Sequence, residues 1–137
     1  MPTTKLNKKA ILAAIRADGA LCDGALVNGK VPGCNHVGRC AIGAILFHNG
    51  MTNKELKIVS SASNSYFDCE EQPRDIVGKS AKKKALRKAQ RIFMRLGMSG
   101  YIIDAIVTKN DNFYGSDDYG VWKARARNVI AHIQNYF

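Results

Sequence analysis

Three of the four cysteines lie near a histidine in the first third of the chain, and this set could bind a metal ion. The group contains Cys22, Cys34, His36 and Cys40. Three thiolates and one imidazole make a complete tetrahedral ligand set for zinc. The spacing lacks the Cys-x2-Cys pair of the familiar zinc fingers. The alternative is that Cys40 is a small buried residue that opens an apolar helix, as free cysteines often are. We therefore expect no cofactor, and a zinc ion at this set is the alternative.

Cys40 also has a second interpretation, as a nucleophile. A thiol at a helix N-terminus can have a lowered pKa, which makes the thiolate available for covalent catalysis. The required base would be His36, His48 or His132, brought near by the fold. The chain would then be a small cysteine-dependent enzyme. We favour the structural interpretation of Cys40 and, with it, a protein that is not an enzyme.

The largest concentration of charge lies between Lys79 and Arg95. The 137 residues carry 21 Lys and Arg against 11 Asp and Glu, for a formal net charge of +10. This segment alone contains eight basic residues and no acidic one, so the rest of the chain is close to neutral at +2. Ser80, as a cap, and Gly97, just past the end, predict one helix to Leu96. Its apolar arc contains Ala85, Ala89, Ile92, Phe93 and Leu96, and its basic arc contains Lys84, Arg87, Lys88, Arg91 and Arg95.

This basic helix (79–96) is the strongest candidate for a binding surface. Lysine and arginine side chains contact phosphates with a salt-dependent affinity that is largely independent of base sequence. The alternative is a solvated face, but such faces commonly mix both signs of charge. Acidic residues of the preceding loop (63–79) could also fold back and neutralise part of it. The candidate residues for binding nucleic acid or an acidic partner are Lys83, Lys84, Arg87, Lys88, Arg91 and Arg95.

A polar and aromatic stretch near residue 110 has some features of a calcium loop. Counted from Asn110, Gly115 is at the sixth position, but Val121 is at the twelfth, where a bidentate glutamate is required. Calcium binding is therefore not predicted, and Asn110 and Asp111 are interpreted as residues that end a helix and bond their own backbone. Four loop aromatics could stack on bases, although nothing in the sequence places them near the basic helix: Tyr66, Phe67, Phe113 and Tyr114.

The elements that position these residues are predicted to be mainly α-helical. We expect a single domain (1–137), a compact bundle of five to six helices with a small hairpin or loop near residues 25–31. Thr4 is the predicted cap of the first helix, and Asn28-Gly29 predicts a type I′ hairpin turn. The segment 40–47 is apolar on every side, which is typical of a helix at the centre of a bundle.

Caps and periodicity predict the remaining helices. Thr52 and Glu55 form a capping box for a helix over 53–61. Ser99 is the predicted cap of a short helix, followed by a loop over 108–120. The last helix is expected to start near Asp117 or Asp118, with Trp122 in the core.

Segment lengths argue against a membrane protein or a secreted one. The longest apolar stretch, 41–47, is far shorter than the roughly 20 residues that span a bilayer. The apolar run at 10–15 is short for a signal peptide and is not followed by a convincing cleavage site. We therefore expect a cytoplasmic protein with no membrane partner.

The order of short motifs resembles a family of small, mostly uncharacterised helical proteins of bacteria and phages. Those proteins share a Cys-Ala-(Ile/Leu)-Gly-Ala helix, here 40–44, and a late Asn-Asp pair, here Asn110-Asp111. The basic helix and Cys34-Asn-His36 depart from that pattern. The resemblance implies a compact helical fold and a phage or mobile-element origin, and so an accessory factor that binds a host component.

These observations support two hypotheses besides the cysteine-dependent enzyme. In the first, the basic helix of a non-enzymatic binding protein docks on nucleic acid or on an acidic surface. In the second, the protein inhibits or modulates a host protein through direct contact, and its charge only steers association.

Overall fold

In the computed structural model, residues 5–22, 26–30, 37–62, 80–113 and 119–137 are described. Within these ranges the chain forms six helices and one antiparallel pair of short strands. This architecture confirms the predicted mainly α fold. In chain order the elements are α1 (Lys8–Asp18), β1 (Asn28–Lys30), β2 (Val37–Gly38), α2 (Ala41–Phe47), α3 (Asn53–Ala62), α4 (Ser80–Arg95), α5 (Gly100–Asp111) and α6 (Tyr119–Tyr136).

Helix α2 lies at the centre of the bundle, as its all-apolar sequence predicts. Every residue from Ala41 to Leu46 is buried, and the helix packs against α1, α3 and α5. Gly43 is required for this packing because the backbone of Leu26 crosses directly over it. A Cβ atom at position 43 would lie 1.9 Å from the carbonyl oxygen of Leu26. The absence of a side chain at Gly43 therefore permits the segment before β1 to cover α2.

The ends of the helices largely follow the predicted caps. Thr52 and Glu55 form the capping box, with the Thr52 N–H donating to Glu55 Oε1 at 2.9 Å and the Glu55 N–H donating to Thr52 Oγ1 at 3.1 Å. The side chain of Ser99 caps α5, as predicted. Gly97 ends α4 with a positive φ of 72°, and the following N–H of Met98 donates to the carbonyl of Phe93. These local hydrogen bonds fix the helix boundaries.

Two boundaries differ from the predictions. The cap of α1 is Asn7, whose side chain accepts from the Ala10 N–H, whereas Thr4 lies outside the described residues. Helix α5 continues to Asp111, so the loop predicted from residue 108 starts too early. Helix α6 begins at Tyr119, next to its predicted start at Asp117 or Asp118, and those two aspartates, like the loop 63–79, fall outside the described part of the chain.

The hairpin is present, but its turn is not at Asn28-Gly29. Both residues belong to β1, which pairs with β2 (Val37–Gly38) in an irregular register. The predicted turn position is therefore wrong, because pairing with residues 37–38 overrides the local preference of the dipeptide. The connecting residues 31–36 are outside the described ranges. Trp122 is buried beside Ala20 and Cys22, as expected of a core residue.

Substitution Gly43→Ala should destabilise the fold severely. The new methyl group would overlap backbone atoms, which cannot rotate away as a side chain can, so we expect a loss of about 3 kcal/mol or more in the free energy of unfolding. Urea denaturation measures this loss. Gly100→Ala is the matched control, since a Cβ there meets nothing within 4 Å, and it should change stability by less than about 0.5 kcal/mol. Similar stability of the two variants would contradict the close approach at Leu26.

Candidate functional site

The outer side of α4 forms a surface that we call the basic face, made of Lys83, Lys84, Arg87, Lys88, Arg91 and Arg95. The opposite side of the helix is buried, as the apolar arc predicts, and it also contains the fully buried Leu86. That side packs mainly against α3. Because the helix buries its apolar arc, its basic arc faces outward. The buried residues of the predicted arc are Ala85, Ala89, Ile92, Phe93 and Leu96.

Two members of the basic face are held by neighbouring elements. Lys88 Nζ donates to both carboxylate oxygens of Glu55, at 3.0 and 3.2 Å. The N–H of Thr52 and, after it, this ammonium group lower the pKa of Glu55. Arg95 Nη2 donates to the carbonyl of Asn49 at 3.3 Å. Lys88 and Arg95 therefore help to attach α4 to the start of α3 and to the turn before it.

Lys84, Arg87 and Arg91 form the centre of the basic face. All three are exposed, and none makes an ion pair with a residue that the structure describes. Their positions at i, i+3 and i+7 place them along one side of the helix. Lys83 is half-buried beside them. The acidic residues that could fold back onto this face, at 68–75, lie outside the described ranges.

An apolar side chain interrupts this surface. Met94 is 67% exposed and lies three residues after Arg91, on the same side of α4. Large exposed apolar side chains are common at protein interfaces. Contacts with phosphate do not need one. The basic face thus combines cationic groups with one group suited to apolar contact.

Cys40 lies at the N-terminus of α2, as predicted, but its thiol is not activated. The residue is buried, and its Sγ accepts a hydrogen bond from the Gly43 N–H at 3.4 Å. Burial raises the pKa of Cys40 to about 12, and this effect outweighs the backbone N–H groups that lower it. The expectation of a lowered pKa is therefore wrong. His48, one of the proposed bases, lies at the opposite end of α2 from Cys40, and its Nε2 is hydrogen-bonded to Asp18 of α1.

The proposed zinc set is only partly described. Cys22 and Cys40 are buried free thiols, whereas Cys34 and His36 lie outside the described residues. Among the residues that are described, no group of three or more His, Cys, Asp or Glu side chains is arranged to hold a metal ion. Zinc binding by these four residues stays a prediction. No described helix is long and apolar enough to cross a bilayer.

A buried ionic cluster, which sequence reasoning missed, connects four elements. Asp18 Oδ1 accepts from Arg39 Nη1 at 2.6 Å and lies 3.2 Å from His48 Nε2. Arg39 Nε also donates to Asn53 Oδ1 at 3.0 Å, and its guanidinium lies 3.6 Å from the centre of the Phe47 ring. The cluster joins the end of α1 to the residue after β2, the end of α2 and the start of α3. Nothing in the local sequence distinguishes Asp18 or Arg39 from surface residues.

Asn110 is a second buried polar residue with a long-range role. It is 1% exposed within the last turn of α5, and its side chain bonds to Ala41, Cys22 and the Asp111 carboxylate rather than to its own backbone as predicted. Its Oδ1 accepts from the Ala41 N–H, and its Nδ2 donates to the Cys22 carbonyl, both at 3.0 Å. One amide thus satisfies the first N–H of α2 and a carbonyl of the segment after α1. The Asn-Asp pair in the sequence identified Asn110 as a residue of interest, but it did not predict these long-range hydrogen bonds.

The loop aromatics do not form a described group. Phe113 lies 5.8 Å from the guanidinium of the buried Arg125, which also donates to the carbonyls of Leu21 and Phe113 at 2.8 Å. Tyr66, Phe67 and Tyr114 are outside the described ranges. Phe113 therefore belongs to the packing around α6. The other three stay untested as base-stacking residues.

Comparison of the chain with protein-family models, curated proteins and solved structures found no match. The resemblance to small bacterial and phage proteins therefore depends on the order of short motifs in the sequence and stays a prediction. Here two of those motifs touch, because Asn110 bonds to Ala41 in the Cys40–Ala44 stretch.

Substitution Asn110→Ala should destabilise the protein by about 2 to 4 kcal/mol. It leaves the buried Ala41 N–H and Cys22 carbonyl without their partner, and each unsatisfied group costs about 1 to 3 kcal/mol. Thermal and urea unfolding provide the measurement. The control is Asn112→Ala, two residues on and exposed, which should change stability by less than about 0.5 kcal/mol. Equal stability of the two variants would refute the proposed role of Asn110.

Proposed function

We propose that this protein is a non-enzymatic binding protein that docks on nucleic acid through the basic face of α4. The observation that carries the proposal is the exposure of Lys84, Arg87 and Arg91, which have no carboxylate partner among the described residues. Cations without a partner offer the strongest attraction to a polyanion, because no existing ion pair has to be broken. Lys84, Arg87 and Arg91 form a row along the helix. Lys83 comes just before this row, Lys88 lies within it and Arg95 follows it.

The dimensions of the row suit a phosphate backbone. Seven residues separate Lys84 from Arg91, which corresponds to about 10 Å at about 1.5 Å per residue. Successive phosphates of one DNA strand are about 3.4 Å apart along the duplex axis, so the row spans roughly three of them. Arginine can also bind one phosphate with two parallel hydrogen bonds. Contacts of this kind give affinity without reading the base sequence.

Binding to an acidic protein surface is the second candidate, and Met94 favours it. A methionine that is 67% exposed among cations could enter an apolar pocket of a partner. The resemblance to small phage proteins adds the inference that such a partner is a host component. In this second case the protein acts as an inhibitor or modulator, and the charges serve to speed association.

Charge reversal tests the first candidate. The variant K84E/R87E/R91E should bind a short DNA duplex about tenfold or more weakly at low salt. For the unmodified protein, the logarithm of the binding constant should fall with the logarithm of salt concentration with a slope of about −3, as expected for three phosphate contacts. The variant should lose most of this slope. Fluorescence anisotropy at several salt concentrations measures both quantities.

A matched control separates local contact from overall charge. K9E/R16E/R127E reverses three exposed cations elsewhere, and each variant has a net charge of +4 because every reversal lowers it by two. The control should keep most of the affinity. Equal losses in the two variants, or binding that ignores salt, would rule out docking by the basic face.

Nuclease treatment separates the two candidates. A partner that remains bound after host lysate is treated with nuclease, and that is lost with Met94→Glu, would support protein contact. Loss of every partner on nuclease treatment would support nucleic acid.

A further inference from the structure

A groove of about 910 Å³ runs along one side of α5 and ends against the last turn of α6. The α5 side chains that line it recur every three to four residues, so they form one face of the helix. The size is at the upper end of the range for small-ligand sites. It is therefore large enough for one or two nucleotides.

The end of the groove at α6 is aromatic and open to solvent. Tyr101 is 80% exposed and Tyr136 is 74% exposed. The His132 ring lies 4.9 Å from that of Tyr136 and 5.7 Å from that of Phe137. Exposed rings on the wall of a groove are typical of surfaces that stack on a flat partner, and every nucleobase has such a flat face.

Polar side chains continue the same face of α5 beyond the aromatic end. At the edge of a base, the Asp104 carboxylate can accept a hydrogen bond and the Asn112 amide can accept or donate one, and Thr108 adds a hydroxyl group. Lys109 adds an ammonium group to this face. The pKa of His132 is lowered first by the burial of its ring and then by the positive charge of Lys109. The groove therefore offers stacking, hydrogen bonds to base edges and one phosphate contact. Duplex DNA, with its bases stacked inside, cannot use the aromatic end.

The aromatic end of the groove lies close to the end of α4. Ser99, in the turn between α4 and α5, lines it, as does Leu6. The next residue, Asn7, donates its N–H to the carbonyl of Leu96 at 2.8 Å. A strand that follows the basic face to the end of α4 therefore reaches residues that border the groove.

We propose that the groove binds unpaired bases of single-stranded nucleic acid, with Tyr101 and Tyr136 as stacking platforms. This proposal rests on the proposed function, because the basic face would hold the backbone of the same strand. The bases enter the aromatic end, and Lys109 contacts a phosphate on the side away from Tyr101.

Paired measurements on single-stranded and duplex oligonucleotides of equal length test the proposal. Y101A/Y136A should bind the single strand about thirtyfold or more weakly, since each stacked base contributes about 1 to 3 kcal/mol. Its affinity for duplex and its salt slope should not change. Both side chains are exposed, so the variant should fold, which circular dichroism checks. Y101F/Y136F keeps the rings and should restore single-strand binding.

The two proposals fail in different ways. Unchanged single-strand affinity in Y101A/Y136A, with loss in K84E/R87E/R91E, would overturn the groove proposal and leave the basic face supported. The opposite pattern would support the groove and overturn the basic face. Equal losses of single-strand and duplex affinity in Y101A/Y136A would also overturn base stacking in the groove, as would a failure of the phenylalanine variant to restore binding.

Discussion

The buried N-terminus of α2 is the constraint on which the rest of the described fold depends. The first N–H groups of a helix have no partner within the helix, and here water cannot supply one. Asn110 from α5 accepts from the Ala41 N–H, and the thiol of Cys40 accepts from the Gly43 N–H. Gly43 must also lack a side chain for Leu26 to cross over it. The position of α2 thus determines where α5 ends, why Cys40 stays protonated, and where the segment before β1 lies.

The charged residues divide into two groups with different roles. Arg39 and Arg125 are buried and bond to fixed partners, a carboxylate and an amide in the first case and two backbone carbonyls in the second. Removing the Asp18 carboxylate would leave the buried charge of Arg39 without its counter-charge, which is strongly destabilising. Arg87 and Arg91 on α4 are exposed and have no such partners among the described residues. The first group holds the elements together, and the second is available for binding.

Local features of the fold could be predicted from the sequence, whereas long-range polar contacts could not. The capping box, the glycine that ends α4 and the two arcs of α4 each depend on residues within one or two turns. Asn110 bonds to residues 69 and 88 positions away, and Asp18 and Arg39 are 21 positions apart. Hydrophobic periodicity describes a single helix or strand, so it does not predict contacts between residues that are this far apart in the sequence. The same limit explains the error at Cys40, since the helix N-terminus is visible in the sequence but its burial is not. The basic face was predicted, but the Lys88–Glu55 pair was not.

This division of the arginines is the central claim, and the Nε–Hε NMR signals of the arginine side chains test it in one titration. When a DNA duplex is added at low salt, the signals of Arg87 and Arg91 should shift with saturation. The signals of Arg39 and Arg125 should stay in place, because their partners lie within the fold. Shifts confined to the buried pair, or no shift at Arg87 and Arg91 while the duplex binds, would contradict the claim.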